Sequence, residues 1–341
     1  MVLEFAQTHS TFRHLERLTD DRGIIEHACG PHPRFSSGYC TDDNARLLVV
    51  ASRGESEDRN AASLGRIAAR FLLDAQRFNG TIHNRLSFER LWIDQPSVDD
   101  CWGRSLWGFG TAVARSSDTE LRNRCYEGFG IGSLARATSL RSICFSILGA
   151  AEMLRIEEDH SGALGIMHAG REHFAQLPLN NPIWPWPEPR LTYSNAAVPE
   201  AMILCGEALQ DSQLVKYGLD LLQWLVSIEI WNNHLSVTPS GGRGPGQKGP
   251  AFDQQPIEVA AIADAANTAK RVTGDDFWDY VIDLSVNWFL GNNDSGFCMI
   301  NTEHGGGHDG LEPDGVNQNM GAESTICMIT TMQHRSSMWI I

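Results

Sequence analysis

Lysine is almost missing from this sequence of 341 residues: only Lys216, Lys248 and Lys270 stand against 24 arginines. With 27 basic and 42 acidic side chains the formal net charge is -15. Phosphate backbones are held by clustered positive charge, so no nucleic-acid partner is expected. Long uncharged runs are lacking too. None reaches the roughly 18 residues needed to cross a bilayer, so no membrane partner is expected either. The eight cysteines (Cys29, Cys40, Cys101, Cys125, Cys144, Cys205, Cys298 and Cys327) include no Cys-x-x-Cys pair, and most sit in apolar helical patterns such as Ser142-Ile143-Cys144-Phe145. They read as free thiols of a reducing compartment. Met1-Val2-Leu3-Glu4-Phe5 has no basic stretch followed by an apolar one, and a cytoplasmic location is expected. Strand-like alternation is confined to short pieces near 81–93, 234–238 and 296–301, and no Pro/Ser-rich linker divides the chain.

Helical periodicity fills the space these absences leave. Leu64, Ile67, Ala68, Phe71 and Leu72 fall on one face of a helix over 57–77. Thr41 is the expected N-cap of a helix running through Val50. Further helices are expected over 98–116, 118–133, 138–157, 159–176, 192–209, 211–230, 254–273, 275–291 and 320–338, with a weaker one near 7–19. That makes about twelve. Six of them open on polar clusters near 41, 98, 138, 192, 254 and 320 and continue apolar and small, while those between are amphipathic with charged faces. Helices apolar all round are enclosed by protein. The pattern is a loose repeat of helical hairpins, one inner and one outer helix each. Six closing on themselves make an all-α (α/α)6 barrel in a single domain over 1–341. The length alone, at roughly 150 residues per domain, would suggest two all-α domains, which is the competing reading.

The connections from outer to inner helices are long (20–40, 78–97, 177–191, 231–253 and 292–319) and the return connections short. Long loops carry function, and here all of them gather where the inner helices start. The polar clusters then line one cleft, rich in acids: Asp42, Asp43, Asp99, Asp100, Glu258 and Glu323, with Asp253, Asp309 and Asp314 in nearby loops. An Asp opening a helix is ordinarily an N-cap, which accounts for Asp42 and Asp99 better than for the second residue of each pair. Glu258 is different. It follows Pro256 inside the apolar run Ile257-Glu258-Val259-Ala260-Ala261-Ile262-Ala263, where a carboxylate is costly unless it is paired or faces a polar cavity. Apolar surroundings raise its pKa, as a general acid requires. A protonated and an ionised carboxyl suffice to cleave a glycosidic bond. Glu258 is the candidate acid and Asp43 the candidate base, with Asp100 second; an open cleft with room for a water favours inversion.

Ten tryptophans exceed what a core of this size needs, and flat indoles suit sugar rings, although packing explains about half of them. Trp184 and Trp186 alternate with proline in a stiff segment, Ile183-Trp184-Pro185-Trp186-Pro187-Glu188, and read as a sugar platform or as core caps with equal weight. Trp102, Trp107 and Tyr193 are further subsite candidates. Arg46, Arg104, Arg141, Arg190, Asn195, Gln254, Gln255, Asp314 and Asn317 are candidates for bonding hydroxyls. His304-Gly305-Gly306-Gly307-His308-Asp309 is too glycine-rich to be a preorganised metal site. Asp314-Gly315-Val316-Asn317-Gln318-Asn319 lacks the glycine and distal glutamate of a calcium loop, and Ser240–Gly249 lacks the Gly-Lys-Ser/Thr of a phosphate loop and reads as a lid. No metal and no cofactor are expected.

Five blocks carry a resemblance: Tyr39-Cys40-Thr41-Asp42-Asp43-Asn44-Ala45-Arg46; Trp184-Pro185-Trp186; Arg190-Leu191-Thr192-Tyr193-Ser194-Asn195; Phe252-Asp253-Gln254-Gln255-Pro256-Ile257-Glu258; and Asp314 through Ser324. Over about residues 10–335 the chain resembles bacterial (α/α)6 glycoside-hydrolase-like domains, found alone or fused to glycosyltransferases. Among them it is most similar to the mycobacterial endo-α-1,4-mannosidases that act on methylmannose polysaccharide. The resemblance implies catalytic carboxylates in the Thr-Asp-Asp-Asn and Gln-Gln-Pro-x-Glu blocks, here Asp43 and Glu258, and a neutral oligo- or polysaccharide as partner. A homodimer is compatible with it. The competing functions are a non-catalytic carbohydrate-binding or glycosyltransferase-accessory module and a sugar 2-epimerase, which would place histidine pairs at the cleft.

Overall fold

Each polar cluster opens an inner helix or lies just ahead of one. The computed structural model describes residues 12–335 except 57, 179 and 180; the outer ends of the expected helices near 7–19 and 320–338, the start of the one expected over 57–77, and Met1–Phe5 lie outside the described residues. The inner helices are α2 (Thr41–Gly54), α4 (Asp100–Arg115), α6 (Leu140–Leu154), α8 (Ala197–Ala208), α10 (Pro256–Thr273) and α12 (Ala322–Gln333). The outer ones are α1 (Arg13–Leu18), α3 (Arg59–Ala75), α5 (Thr119–Gly132), α7 (Ser161–Phe174), α9 (Ser212–Glu229) and α11 (Phe277–Phe289). Each inner helix packs on the next, and α12 packs back onto α2, closing the ring. Helices α3, α5, α7, α9 and α11 lie outside the inner helix that precedes them, while α1 packs on α12. The fold is the all-α (α/α)6 barrel, built around a continuous core that includes Leu47, Leu106, Ile147, Ile203, Ile262 and Ile329.

Small residues let the inner helices approach. At Gly110 on α4, a Cβ would stand 2.1 Å from the carbonyl oxygen of Gly149 on α6. Only glycine permits that backbone contact, which explains the glycine content of helices whose apolar pattern would otherwise favour larger side chains.

Two helix starts differ from expectation. Cys40, not Thr41, is the N-cap of α2, and the Thr41 hydroxyl instead donates to the carbonyl of His83 at 2.6 Å. Helix α8 begins at Ala197, not 192: Ser194 sits at φ 47°, and the backbone N–H groups of Ser194 and Asn195 turn toward Glu258. A buried carboxylate outbids the first helical turn for these donors. Three of the five two-stranded ribbons among the described residues include a piece where alternation was seen, whereas Ala28–Cys29 with His32–Pro33 and Leu311–Glu312 with Gly315–Val316 lie outside those pieces. Arg85–Leu86 pairs with Tyr39–Cys40, His234–Leu235 with Ile230–Trp231, and Ile300–Asn301 with Gly306–Gly307. These ribbons fold the long loops over one mouth of the barrel.

Candidate active site

At the start of α2, Asp43 turns inward and is 2% exposed, whereas Asp42 is half-buried. Arg46, one turn on, donates to Asp43 at 2.7 Å and also to Glu323 of α12. Burial, reinforced by Glu323, Glu26 and Asp42, pushes the Asp43 carboxyl up to about 7 although Arg46 opposes it. Burial works the same way on Glu323, but there the guanidinium wins and its pKa is lowered. One arginine thus contacts two carboxyls whose pKa values are shifted in opposite directions.

Helix α4 brings Asp100 and Arg104. The Tyr193 hydroxyl donates to Asp100 at 2.6 Å, burial raises the Asp100 pKa, and Tyr193 and Arg104 pull it back. Arg104 lies 3.3 Å from Asp42 and 3.9 Å above the Phe145 ring, which fixes its fork across the floor of the cleft.

Glu258, in the first turn of α10, is 4% exposed. Its Oε1 accepts from the N–H of Ser194, and its Oε2 from the N–H of Asn195 at 3.2 Å and the side-chain amide of Asn195 at 2.8 Å. Burial pushes this carboxyl up to about 7 against those donors and against Arg141. The Asn195 side-chain oxygen accepts from Arg141 at 3.1 Å, and Arg141 is held in turn by the Tyr193 carbonyl at 2.8 Å and by Glu188 at 2.9 Å. Asn195 and Arg141 therefore position Glu258 through a connected network of hydrogen bonds.

A cavity of about 420 Å³ opens at this mouth, lined by Asp42, Asp43, Arg46, Asp100, Arg104, Tyr193, Gln255 and Glu323. Glu258 lines an adjoining recess of about 130 Å³, which shares Tyr193 and Gln255 with the main cavity and is walled by Ser240, Gly241 and Gly242 of the glycine-rich loop. Sequence reading missed Glu26, His27, Cys40 and Arg85, which also line the main cavity, as does Asp309. Glu26 and His27 lie in the first long connection, and Arg85 within the strand-like piece near 81–93. Their arrival depends on the pairing of Tyr39–Cys40 with Arg85–Leu86.

Other candidates stand elsewhere. Trp186 is buried, stacked on Trp224 at 6.1 Å, with its N–H on Glu188, so it acts as a core cap and not as a platform. Trp184 packs edge-on against Trp224 and donates to the Glu188 carbonyl. Gln254 is fully buried; its side chain serves Asp294, Ala251 and Trp288, so it does not reach the cleft. Asp314 sits in an exposed turn between Leu311–Glu312 and Gly315–Val316, and the carbonyl of Asn317 accepts from His308; neither lines the cavity. Trp102 is buried and bonded to the Gly132 carbonyl, Trp107 faces the far end of the barrel, and Arg190 ties its loop to Gly241 and Gly242. His304, His308 and Asp309 do not converge. The three-ligand grouping among the described residues is Glu26, Cys40 and Asp43, and there Arg85 and Arg46 already occupy the two carboxylates.

No protein-family profile and no curated protein matches the sequence. Similarity appears in three dimensions. A sugar epimerase from a ruminal bacterium is similar at TM-score 0.72 and 12% identity, over 98% of this chain and 99% of that one. Cellobiose 2-epimerase from Bacillus thermoamylovorans follows at 0.69 and 11%, over 98% and 99%. A GH76 α-mannanase from Bacteroides thetaiotaomicron superposes at 0.66 and 10%, over 100% and 96%. At such identities the likeness is one of fold, and the chain has the (α/α)6 barrel architecture of these enzymes.

Proposed function

We propose that this chain is an endo-acting glycoside hydrolase of α-1,4-linked mannose oligo- or polysaccharides, O-methylated ones included, working by inversion. The observation that carries the reading is the pair of buried carboxyls, Asp43 on α2 and Glu258 on α10, at one mouth of the barrel, each pushed up to about 7 by burial. In this reading the protonated Glu258 donates to the departing oxygen while the ionised Asp43 draws the proton from an attacking water. Tyr193, Asp100, Arg104 and Gln255 bond the sugar hydroxyls, and Asn195 and Arg141 position Glu258. An open, polar cleft fits a neutral chain that enters and leaves along its length. The α-mannanase among the structural neighbours supports the choice of sugar. Epimerases stand there too, but His27 is the one histidine among the described residues that lines the main cavity, which leaves histidine-pair chemistry without its second member.

The test is mass spectrometry and NMR of a manno-oligosaccharide panel after incubation with the protein and with Glu258→Gln and Asp43→Asn. Shortened products with an initially inverted anomer are expected from the native protein. A loss of roughly a thousandfold is expected from each variant, with oligosaccharide binding retained. Binding without turnover identifies an accessory module, a product of unchanged mass with altered C2 an epimerase; either outcome refutes the proposal.

A further inference from the structure

All six inner helices contribute to a second cavity, of about 600 Å³, at the opposite mouth of the barrel, where these helices end. An apolar waist that includes Phe145, Leu148, Ile257, Ala260 and Ile326 leaves only about 30 Å³ of space between the two mouths. The lower cavity is therefore a separate compartment, and nothing in the chemistry proposed for the upper cleft uses it.

Its walls are charged, and most of these charges are paired within the wall. Asp264 accepts from Arg53 at 2.8 Å and lies 2.7 Å from the ring nitrogen of His334. Arg115 grips Glu152 at 2.7 Å, and Arg271 grips Glu207 at 3.0 Å. Glu200, 7% exposed, is the one carboxyl on this wall without a cationic hydrogen-bond partner: its Oε1 accepts from the Thr268 hydroxyl at 2.8 Å. Burial, with Asp264 beside it, raises the Glu200 pKa and favours the protonated form. Arg155 is the one cation on this wall without a hydrogen-bonded partner among the described residues. What is left are hydrogen-bonding groups. Glu152 Oε2 and Gln333 Oε1 are buried acceptors with no donor, Arg155 standing 4.0 Å from the former, beyond bonding distance. Glu200 Oε2 has no partner among the described residues. Orphaned buried acceptors cost free energy, and the carbonyl ends of the inner helices deepen the demand for donors. A protonated carboxyl adds a donor to the same wall. A group that both donates and accepts answers the protonated Glu200 carboxyl and the Arg155 guanidinium together, which an amine or an anion does not. Trp107, with Arg53 5.6 Å from its ring, supplies an apolar side.

We infer that the lower cavity is a second binding site, for a small neutral polyhydroxylated molecule of mono- or disaccharide size. The volume suits such a ligand, and the inference stands whether or not the upper cleft hydrolyses glycans.

The test is calorimetric titration of the full chain with D-mannose, myo-inositol, ethylenediamine and inorganic phosphate, followed by a crystal soak of the tightest binder. Asn267, exposed on α10 at the edge of this cavity, gives the variant Asn267→Trp, which fills the mouth without touching an ion pair. Asn267→Ser controls for folding, checked by the thermal midpoint. A polyol is expected to bind the native protein, Asn267→Ser and the upper-cleft variant Asp43→Asn alike, and to bind Asn267→Trp about tenfold more weakly or worse. The soaked crystal should show it against Glu200 and Arg155. Polyol binding indifferent to Asn267→Trp, absence of polyol binding, or sensitivity to Asn267→Trp confined to the diamine or to phosphate overturns the assignment.

Discussion

Replacing Asn195 by alanine removes the 2.8 Å side-chain bond to Glu258 Oε2 and leaves the two backbone donors of Ser194 and Asn195 in place. Arg141 loses one acceptor but stays held by the Tyr193 carbonyl and by Glu188, so the surrounding charges are preserved. A hydrogen bond to an ionised carboxylate is worth roughly 1.5–3 kcal/mol, and the neutral acid still accepts, so about half of that separates the two protonation states. At about 1.4 kcal/mol per pKa unit, Glu258 should rise by about one unit above its native value. The direction follows from the physics: a donor favours the anion, and its loss favours the acid. The assay is the pH titration of ¹³C-labelled glutamate side-chain carboxyls by NMR, with Glu258→Gln assigning the resonance among the other buried glutamates. If Glu258 is the general acid, the alkaline limb of the kcat/KM profile moves upward with it. A change of less than about 0.3 unit, or a fall, would refute the claim that Asn195 sets the protonation of Glu258.

Two further outcomes follow from the packing and the electrostatics. Gly110→Ala forces α4 from α6, because its Cβ would meet the Gly149 carbonyl oxygen at 2.1 Å; overpacking of this kind exceeds the roughly 1 kcal/mol gained in helix propensity, and a net loss of about 2 kcal/mol is expected in urea denaturation. Asp43 is raised from 3.8 to about 7 on folding, so the folded state holds a proton that the unfolded chain releases. Its contribution is fully present below pH 3.8 and is lost as pH rises through about 7. Stability should fall by ~4 kcal/mol over that window on account of this group, and Asp43→Asn should remove that part of the difference measured at about pH 4 and about pH 8.

The helices were readable because burial on all sides leaves a plain mark: small and apolar residues behind a polar start, as in Gln255-Pro256-Ile257-Glu258-Val259-Ala260. Glu258 stood out because a carboxylate in such a run needs a partner, and the structure supplies three donors. The loops were legible in length and not in destination. Glu26 reaches the cavity because its backbone N–H bonds to Gly38 and its side chain to Arg85, links that no local pattern encodes. Gln254 went the other way: reciprocal backbone bonds with Leu311 draw it under the loop layer, where Asp294 and Trp288 take its amide. Tryptophan was ambiguous for a related reason. An indole beside proline looks alike whether it faces a sugar or, as Trp186 does, another indole.

The seam of the ring has a consequence for how the molecule assembles. Every inner helix but one is followed along the chain by its next neighbour around the ring; α12 meets α2 and α1 only by bringing together residues about as far apart as this chain allows, as in the bond from His14 to the Met320 carbonyl, 306 positions apart. The entropy of closing a flexible loop grows only with the logarithm of its length, so joining these ends from an open chain costs roughly 2 kcal/mol more than closing a loop of about forty residues. Once the intervening hairpins have formed, even that difference shrinks, because a curved stack of packed units already carries its two edges toward each other. The seam is then expected to be the last contact made, and local opening of the barrel to start there.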